Sequence, residues 1–339
     1  MVGGARAGWL VMTQSALESW RTRGDAPARI ERAGVGRIAS AARPDRCLAQ
    51  FHGYCLGLVR RTLVDEGLPL DVVFGDLPTP PAFRTGRTVR LGLQCEHTLV
   101  KPAGRDAAGA PAGGIPLPGA AGTYLVRIAG RERLRAFDRV IDYSLPNLAN
   151  IASCPLFAEH LARSVHVSPL LGGPAPAVRT GGRRGVVTTF TDPRQPRRRE
   201  LLARLAREGI GVRNVTGVYE ERGLRRLYGG AEVVVNVRQT DHHDTLEELR
   251  VLPALLCGAI VVSEDAPLRS LVPYERFVIW ADYDRIPAAV RGALADNARL
   301  RRRILEDPTF HETVLAMESA NRRSLLAALQ APAGQSVLG

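Results

Sequence analysis

Residues 231–264 read AEVVVNVRQTDHHDTLEELRVLPALLCGAIVVSE, and this stretch decides the fold. The apolar run at 233–237 predicts a buried strand, and the polar loop after it leads into a helix that opens with two adjacent carboxylates. A turn of small residues at 257–259 then leads into a second apolar strand at 260–263. Uninterrupted apolar strands on both sides of a helix are typical of a parallel sheet that is covered on both faces.

Polar groups follow each of these two strands and begin the helix between them. The carboxyl ends of parallel strands and the amino ends of the following helices share one edge of the sheet. Helix amino termini favour phosphate there, and carboxylates suit sugar hydroxyls. The residues expected to face one crevice are Asn236, Arg238, Glu247, Glu248, Ser263 and Glu264.

The rest of the second half continues this alternation. Its pattern predicts strands at 185–190, 210–215 and 276–280, helices at 197–208 and 220–228, and further helices over 286–329. Strand and helix alternating at this spacing predict a parallel α/β sheet.

The first half is also predicted to be α/β, with a less regular pattern. It reads as a helix at 44–66 and strands at 68–74, 89–93, 124–128, 139–143 and 165–170, preceded by a weak strand at 9–12. Residues 172–184 are rich in Gly, Pro and Ala without periodicity, which is typical of a linker. A chain of 339 residues suits two domains. We predict a first domain at 1–171, the linker at 172–184 and a second domain at 185–330.

Two arginines of the second half are the strongest phosphate candidates. Arg238 leaves the strand at 233–237, and Arg250 lies on the helix that begins near Glu247. A guanidinium offers paired hydrogen bonds to phosphate oxygens. The alternative for Arg250 is an ion pair with Glu247, three residues away.

The turn after the strand at 185–190 is the second phosphate candidate. It carries Thr188, Thr189 and Arg194, whose hydroxyls and guanidinium could hold a diphosphate. The alternative is an ordinary strand-to-helix loop with a capping residue. The arginine-rich runs at 194–199 and 301–303 are interpreted as solvated helix faces.

The order VVVN, polar loop, LEELR, LPALLCGAIVVSE and PYERFVIW resembles the donor domain of glycosyl transferases group 1 and of the related spore-maturation-type glycosyltransferases. The resemblance covers about residues 180–300. It implies a GT-B fold, in which two Rossmann-like domains face a central cleft. It also implies a nucleotide-diphosphate sugar held by the second domain and an acceptor held mainly by the first.

The resemblance also implies roles for particular residues. Glu247 or Glu248 would be the donor-binding glutamate, and Arg238 and Arg250 would neutralise the leaving phosphate. The paired glutamates of the retaining family stand eight apart, but Leu255 and Leu256 occupy the positions eight beyond this pair, and Glu264 is the substitute to consider. Retention and inversion of the anomeric centre both stay open.

The first half supplies candidates for the acceptor side. Glu96 and His97 follow the strand at 89–93, and an imidazole paired with a carboxylate can remove the proton of an acceptor hydroxyl. Lys101 would steady phosphate charge. Asp76 is the alternative base, and a purely structural hydrogen bond is the alternative role for His97.

Neither metal binding nor a disulfide framework is expected. His242, His243 and Asp244 are adjacent, and adjacent side chains rarely converge on one ion. The triplet at 282–284 matches a DxD pattern but follows a late strand, and the five cysteines form no CxxC pair.

Charge and composition limit the kinds of partner that we expect. The net charge is +12, nearly all of it from arginine, which favours nucleotide diphosphates, anionic acceptors or the face of an anionic membrane. The aromatic fraction of 5% is poor for stacking on single-stranded nucleic acid. No apolar run is long enough to span a bilayer and no signal peptide is apparent, so we expect a cytoplasmic protein, with peripheral contact with the inner membrane left open.

The function expected from the sequence is therefore metal-independent, cofactor-free glycosyl transfer. The donor would be a nucleotide sugar and the acceptor a glycan, a lipid-linked acceptor or another hydroxyl, as in the biosynthesis of cell-surface glycans. The alternatives are another sugar-nucleotide enzyme of the same fold, such as an epimerase, and a basic α/β module that binds nucleic acid or anionic membrane.

Overall fold

The computed structural model describes residues 28–41, 49–83, 86–94, 100–102, 124–126, 134–173, 182–191, 193–238 and 245–332. In these parts of the chain the protein is a mixed α/β structure with two larger, mainly parallel sheets.

The first sheet lies in the first half of the chain. Its strands are β1 (Ala28–Ala33), β2 (Gly36–Ala41), β3 (Asp71–Phe74), β4 (Thr88–Gln94), β7 (Arg139–Asp142) and β8 (Ser164–His166), while β5 (Val100–Pro102) and β6 (Tyr124–Val126) form a separate antiparallel pair. The helices of this half are α1 (Ala49–Asp65), α2 (Leu145–Ala152) and α3 (Ala158–Arg163). The sheet order is β1-β2-β3-β4-β7-β8, with only β1 antiparallel to its neighbour among these strands.

Apolar spacing explains how this sheet is covered. Helix α1 turns Cys55, Leu58 and Val59 inward, where they join the main core with Val72 of β3. The opposite face packs Val140 of β7 against residues of α2 and the following turn. The β1–β2 hairpin turns at Gly34, whose φ of 61° favours a residue without a Cβ.

The second sheet is wholly parallel within the described residues. Its strands are β9 (Val186–Thr188), β10 (Val212–Asn214), β11 (Val233–Asn236), β12 (Ile260–Glu264) and β13 (Ile279–Ala281). The helices of this half are α4 (Pro196–Arg207), α5 (Glu221–Gly229), α6 (Glu248–Leu256), α7 (Ile286–Ala295), α8 (Asn297–Leu305) and α9 (Pro308–Gln330). The sheet order β10-β9-β11-β12-β13 reverses direction between β9 and β11. The first sheet shows no such reversal among its described parallel strands.

The last helix, α9, packs against the first half. The Asn321 side-chain amide donates to the Tyr54 hydroxyl at 2.9 Å and to the Ser168 carbonyl at 3.0 Å. Near the end of the helix, Arg87 and Arg139 donate to backbone carbonyls of residues 328–332. These bonds attach the carboxyl end of α9 to elements of the first sheet.

Most predicted elements are confirmed, with bounds that differ by a few residues. The β1–β2 hairpin was not predicted, and the strand expected at 276–280 is wrong in part, because residues Glu275–Phe277 form a 3-10 helix before β13. The strand expected at 9–12 and the helix start at 44–48 lie outside the described residues. No helix in the described ranges is long and apolar enough to cross a membrane.

Candidate functional site

The reversal of strand order makes the carboxyl ends of β9 and β11 the expected ligand position of this sheet. The chain leaves β9 toward one side of the sheet and leaves β11 toward the other, so the loops after these strands diverge. Ligands of open α/β sheets bind at such switch points. Thr189 follows β9, Asn236 ends β11, and α6 begins close by, so the structure brings three parts of the predicted site to this point.

Arg250, in the first turns of α6, bridges the two strand ends. Its Nη1 donates to Asn236 Oδ1 at 2.6 Å, its Nε to Thr189 Oγ1 at 2.9 Å and its Nη2 to the Thr189 carbonyl at 3.2 Å. The guanidinium carbon lies 5.2 Å from the ring centre of Phe190. Because these bonds use three nitrogen atoms of a buried side chain, Arg250 links the ends of β9 and β11 firmly.

Hydroxyl and amide groups extend this network along the sheet. Asn236 Nδ2 donates to Ser263 Oγ at 3.0 Å, and the Thr189 and Tyr228 hydroxyls lie 3.1 Å apart. The hydroxyl of Thr188 instead donates to the Val235 carbonyl at 2.8 Å, inside the sheet. Thr188 is fully buried, so it supports the adjoining turn from within.

Glu264 ends β12 and is the charged centre of the edge. It is only 2% exposed, and its carboxylate accepts from the Arg238 backbone N–H at 2.9 Å and from Arg238 Nη2 at 2.8 Å. Arg197, near the start of α4, forms a second ion pair with Glu264 Oε1. One carboxylate therefore pairs with two guanidinium groups, one from the loop after β11 and one from the first turn of α4.

The interpretation of the arginine runs as solvated helix faces is wrong at three positions. Arg197 pairs with Glu264, and Arg198 is buried with its guanidinium carbon 4.9 Å from the Phe190 ring centre. Arg301 is buried and donates to the Gly258 carbonyl. Their partners lie 40 residues or more away in sequence for Arg197 and Arg301, so local charge spacing gave no signal of them.

The two glutamates at the start of α6 have different surroundings. Glu247 is at the N-cap position and half-buried, and its side chain makes no capping hydrogen bond. Glu248 is 1% exposed and accepts a hydrogen bond from the Tyr274 hydroxyl at 3.0 Å. Burial raises the pKa of Glu248 to about 8, although the Ser144 and Tyr274 hydroxyls act in the opposite direction. Glu247 is thus the more accessible of the pair.

Asp142, at the end of β7, was not predicted as a site residue. Its Oδ1 accepts from the Ser144 N–H at 2.9 Å and from Asn147 Nδ2 at 3.0 Å. Burial raises its pKa to about 7. The available signal was a carboxylate at the end of an apolar run, two residues before Ser144, which caps α2.

The remaining predicted residues are spread over other parts of the chain. Arg194 is exposed in the turn before α4, Asp76 is exposed just after β3, and Lys101 lies in β5. Glu96 and His97 lie outside the described residues, as do His242, His243 and Asp244.

One aspartate of the DxD-like triplet at 282–284 forms an ion pair with an arginine. Asp284 Oδ1 accepts from Arg204 Nη1 at 2.6 Å at the surface. Asp282 lines an open depression of about 380 Å³ together with Trp280 and Arg269. Within the described ranges, no three His, Cys, Asp or Glu side chains are grouped so that they could hold a metal ion.

Comparison with known proteins shows a distant structural likeness and no family. No protein-family model matches the chain, and no curated protein matches its sequence. A similar solved structure is that of an alpha,alpha-trehalose-phosphate synthase (UDP-forming) from Burkholderia xenovorans, in complex with glucose-6-phosphate. The identity is 13% and the TM-score 0.34, over 90% of this chain and 86% of that chain. At this TM-score the likeness decides nothing about function, which has to be inferred from the residues of this chain.

Proposed function

We propose that this protein is a glycosyltransferase that moves a sugar from a nucleotide-diphosphate sugar to a hydroxyl acceptor. The observation that supports it is the clustering of Thr189, Asn236, Arg238, Arg250 and Glu264 at the switch point of the second sheet. Anionic ligands suit such a place, because guanidinium groups and helix amino termini favour phosphate.

The hydrogen bonds and exposure of each side chain indicate its role in the proposed site. Arg250 is buried and satisfied by protein partners, so we assign it to fixing the two strand ends. Arg238 has a side chain 18% exposed, and Arg194 is exposed, so these two would meet the diphosphate. Glu247, at the N-cap of α6, would accept hydrogen bonds from sugar or ribose hydroxyls.

The first half would hold the acceptor, with Glu96 and His97 or Asp76 as the base and Lys101 near phosphate charge. In this proposal, residues 1–171 and 185–330 are two facing Rossmann-like domains of the GT-B type. Catalysis would rest on positioning the two substrates and stabilising the departing diphosphate, without a metal or a resident cofactor. A glycan or lipid-linked acceptor and contact with an anionic membrane are both compatible with the basic charge.

A thermal-shift screen of uridine-, guanosine- and thymidine-diphosphate sugars tests the proposal. A ligand present at about 100 times its dissociation constant stabilises the folded state by about 2.7 kcal/mol, which is a readily measured rise in Tm. We expect one nucleotide class to give such a rise, and its sugar to be released slowly to water or transferred to an added acceptor.

Other outcomes point to the alternatives. If the sugar nucleotide is isomerised and the diphosphate is not released, the protein is an epimerase and not a transferase. No rise with any nucleotide sugar, together with salt-dependent binding to DNA or to anionic vesicles, would instead support a basic binding module.

A further inference from the structure

Two carboxyl groups from different halves of the chain are buried beside the same serine. Asp142 ends β7 of the first sheet, and Glu248 begins α6 of the second half. They are each 1% exposed. The Ser144 backbone donates to Asp142 at 2.9 Å, and the Ser144 hydroxyl lies close enough to Glu248 to favour its ionised form. The carboxyl edges of the two sheets therefore meet at this point.

Within the part of the chain that the structure describes, one oxygen of each carboxyl has no hydrogen-bond partner. Asp142 Oδ2 and Glu248 Oε1 are enclosed, and neither has a partner of hydrogen-bonding geometry among the described residues. An ionised carboxylate buried in this way is costly unless it is paired with a cation or fully hydrogen-bonded. A protonated carboxyl, in contrast, gains an O–H donor and loses its charge.

The described groups that interact with this pair are neutral or negative. Tyr274, from the segment before β13, donates to Glu248, while Glu247 and Asp142 oppose its ionisation by charge repulsion. Tyr143 follows Asp142 in sequence, and it contributes to the raised pKa of Tyr274. His166 is the register partner of Asp142 on β8, and burial lowers its pKa to about 4, so it is neutral near pH 7.

Two cations of the adjoining elements have other partners among the described residues. Arg250, on the same helix as Glu248, donates to Asn236 and Thr189. Arg269, in the short helix that packs against α2, pairs with Asp265 at 2.9 Å.

We propose that Asp142 and Glu248 are positioning residues that retain at least one proton between them and thereby hold the first turn of α6 against the first sheet. That turn carries Glu247 and leads to Arg250, so the proposal deepens the proposed function by assigning the groups that orient the donor site. The contact between the halves does not itself depend on what the site binds.

A proton retained by the two carboxyl groups determines the direction in which the stability of the fold changes with pH. The pKa values of Asp142 and Glu248 are both raised by burial, to about 7 and about 8, so the folded protein holds protons that the unfolded chain releases. The stability that this contributes is fully present below the unfolded pKa values, near 4, and is lost as the pH rises to about 8. Loss of the last proton leaves two buried charges that repel each other.

The test is thermal unfolding of the full chain without ligand at pH values from 5 to 9. Glu248→Gln and Asp142→Asn keep the shape of each side chain but cannot ionise. We expect each variant to lose much of the decline in Tm that the wild type shows between pH 6 and 8.5, and Glu248→Gln to exceed the wild type by about 3 °C or more at pH 8.5. Glu312→Gln, an exposed carboxyl on α9, is the matched control and should keep the wild-type profile.

A second readout separates positioning from a general effect on stability. Hydrogen exchange, corrected for intrinsic rates, should show the amides at the start of α6 opening above pH 8 in the wild type but not in Glu248→Gln. Equal pH profiles for wild type and both variants, or equal exchange at α6, would overturn the proposal. Neither measurement requires a nucleotide sugar, so failure of the donor screen would leave this result interpretable.

Discussion

Glu264 and Glu248 are equally buried carboxyls of the second half, but their partners are opposite in kind. Glu264 is bracketed by the guanidinium groups of Arg197 and Arg238. Glu248 has a tyrosine hydroxyl, a serine hydroxyl and the repulsion of Asp142. The edge of the sheet is therefore divided into an arginine-rich part at the switch point, suited to an anionic ligand, and a cation-poor part where the two halves of the chain meet.

The largest effect is expected at the arginine-rich part. Glu264→Ala should lower the free energy of unfolding by about 3 kcal/mol, because two partly buried guanidinium groups lose their counter-charge. The measurement is urea unfolding at pH 7. The control is Glu208→Ala, which breaks the exposed pair with Arg291 and should cost less than about 1 kcal/mol. Equal losses in the two variants would show that the buried ion pairs of Glu264 stabilise the fold no more than an exposed pair does.

A smaller effect is expected at the cation-poor part. Tyr274→Phe keeps the ring but removes the hydroxyl that donates to Glu248 at 3.0 Å. We expect a loss of about 1.5 kcal/mol, since a buried acceptor then lacks its partner. The loss should grow above pH 8, where Glu248 is ionised and depends most on the donor. A loss that shrinks with rising pH would contradict the described environment of Glu248.

The comparison also shows what the sequence alone could predict. The apolar runs that became β11 and β12, and the polar groups at their ends, could be located because side-chain periodicity is local. The parallel order of the second sheet follows from that alternation. The clustering of Asn236, Arg238, Arg250 and Glu264 at one edge then follows from the geometry of parallel strands.

The partners inside the site could not be predicted in the same way. Whether Glu247 or Glu248 points inward depends on Tyr274, 26 residues after Glu248, and on Ser144, far away in the other half. The pairing of Arg197 with Glu264 spans 67 residues. Such contacts depend on how the elements pack, and one sequence contains no local signal of them. The β1–β2 hairpin was missed because Arg, Ala and Gly obscure its alternation.

Calorimetric titration of the nucleotide sugar that raises the Tm most is the direct test of the central claim, which is that the switch point of the second sheet holds the donor. We predict that Arg238→Ala and Glu247→Ala each weaken binding by about 10-fold or more, as expected for a lost hydrogen bond to a charged group. Arg291→Ala, at an exposed ion pair, should bind like the wild type. Unchanged affinity in both site variants would contradict the claim.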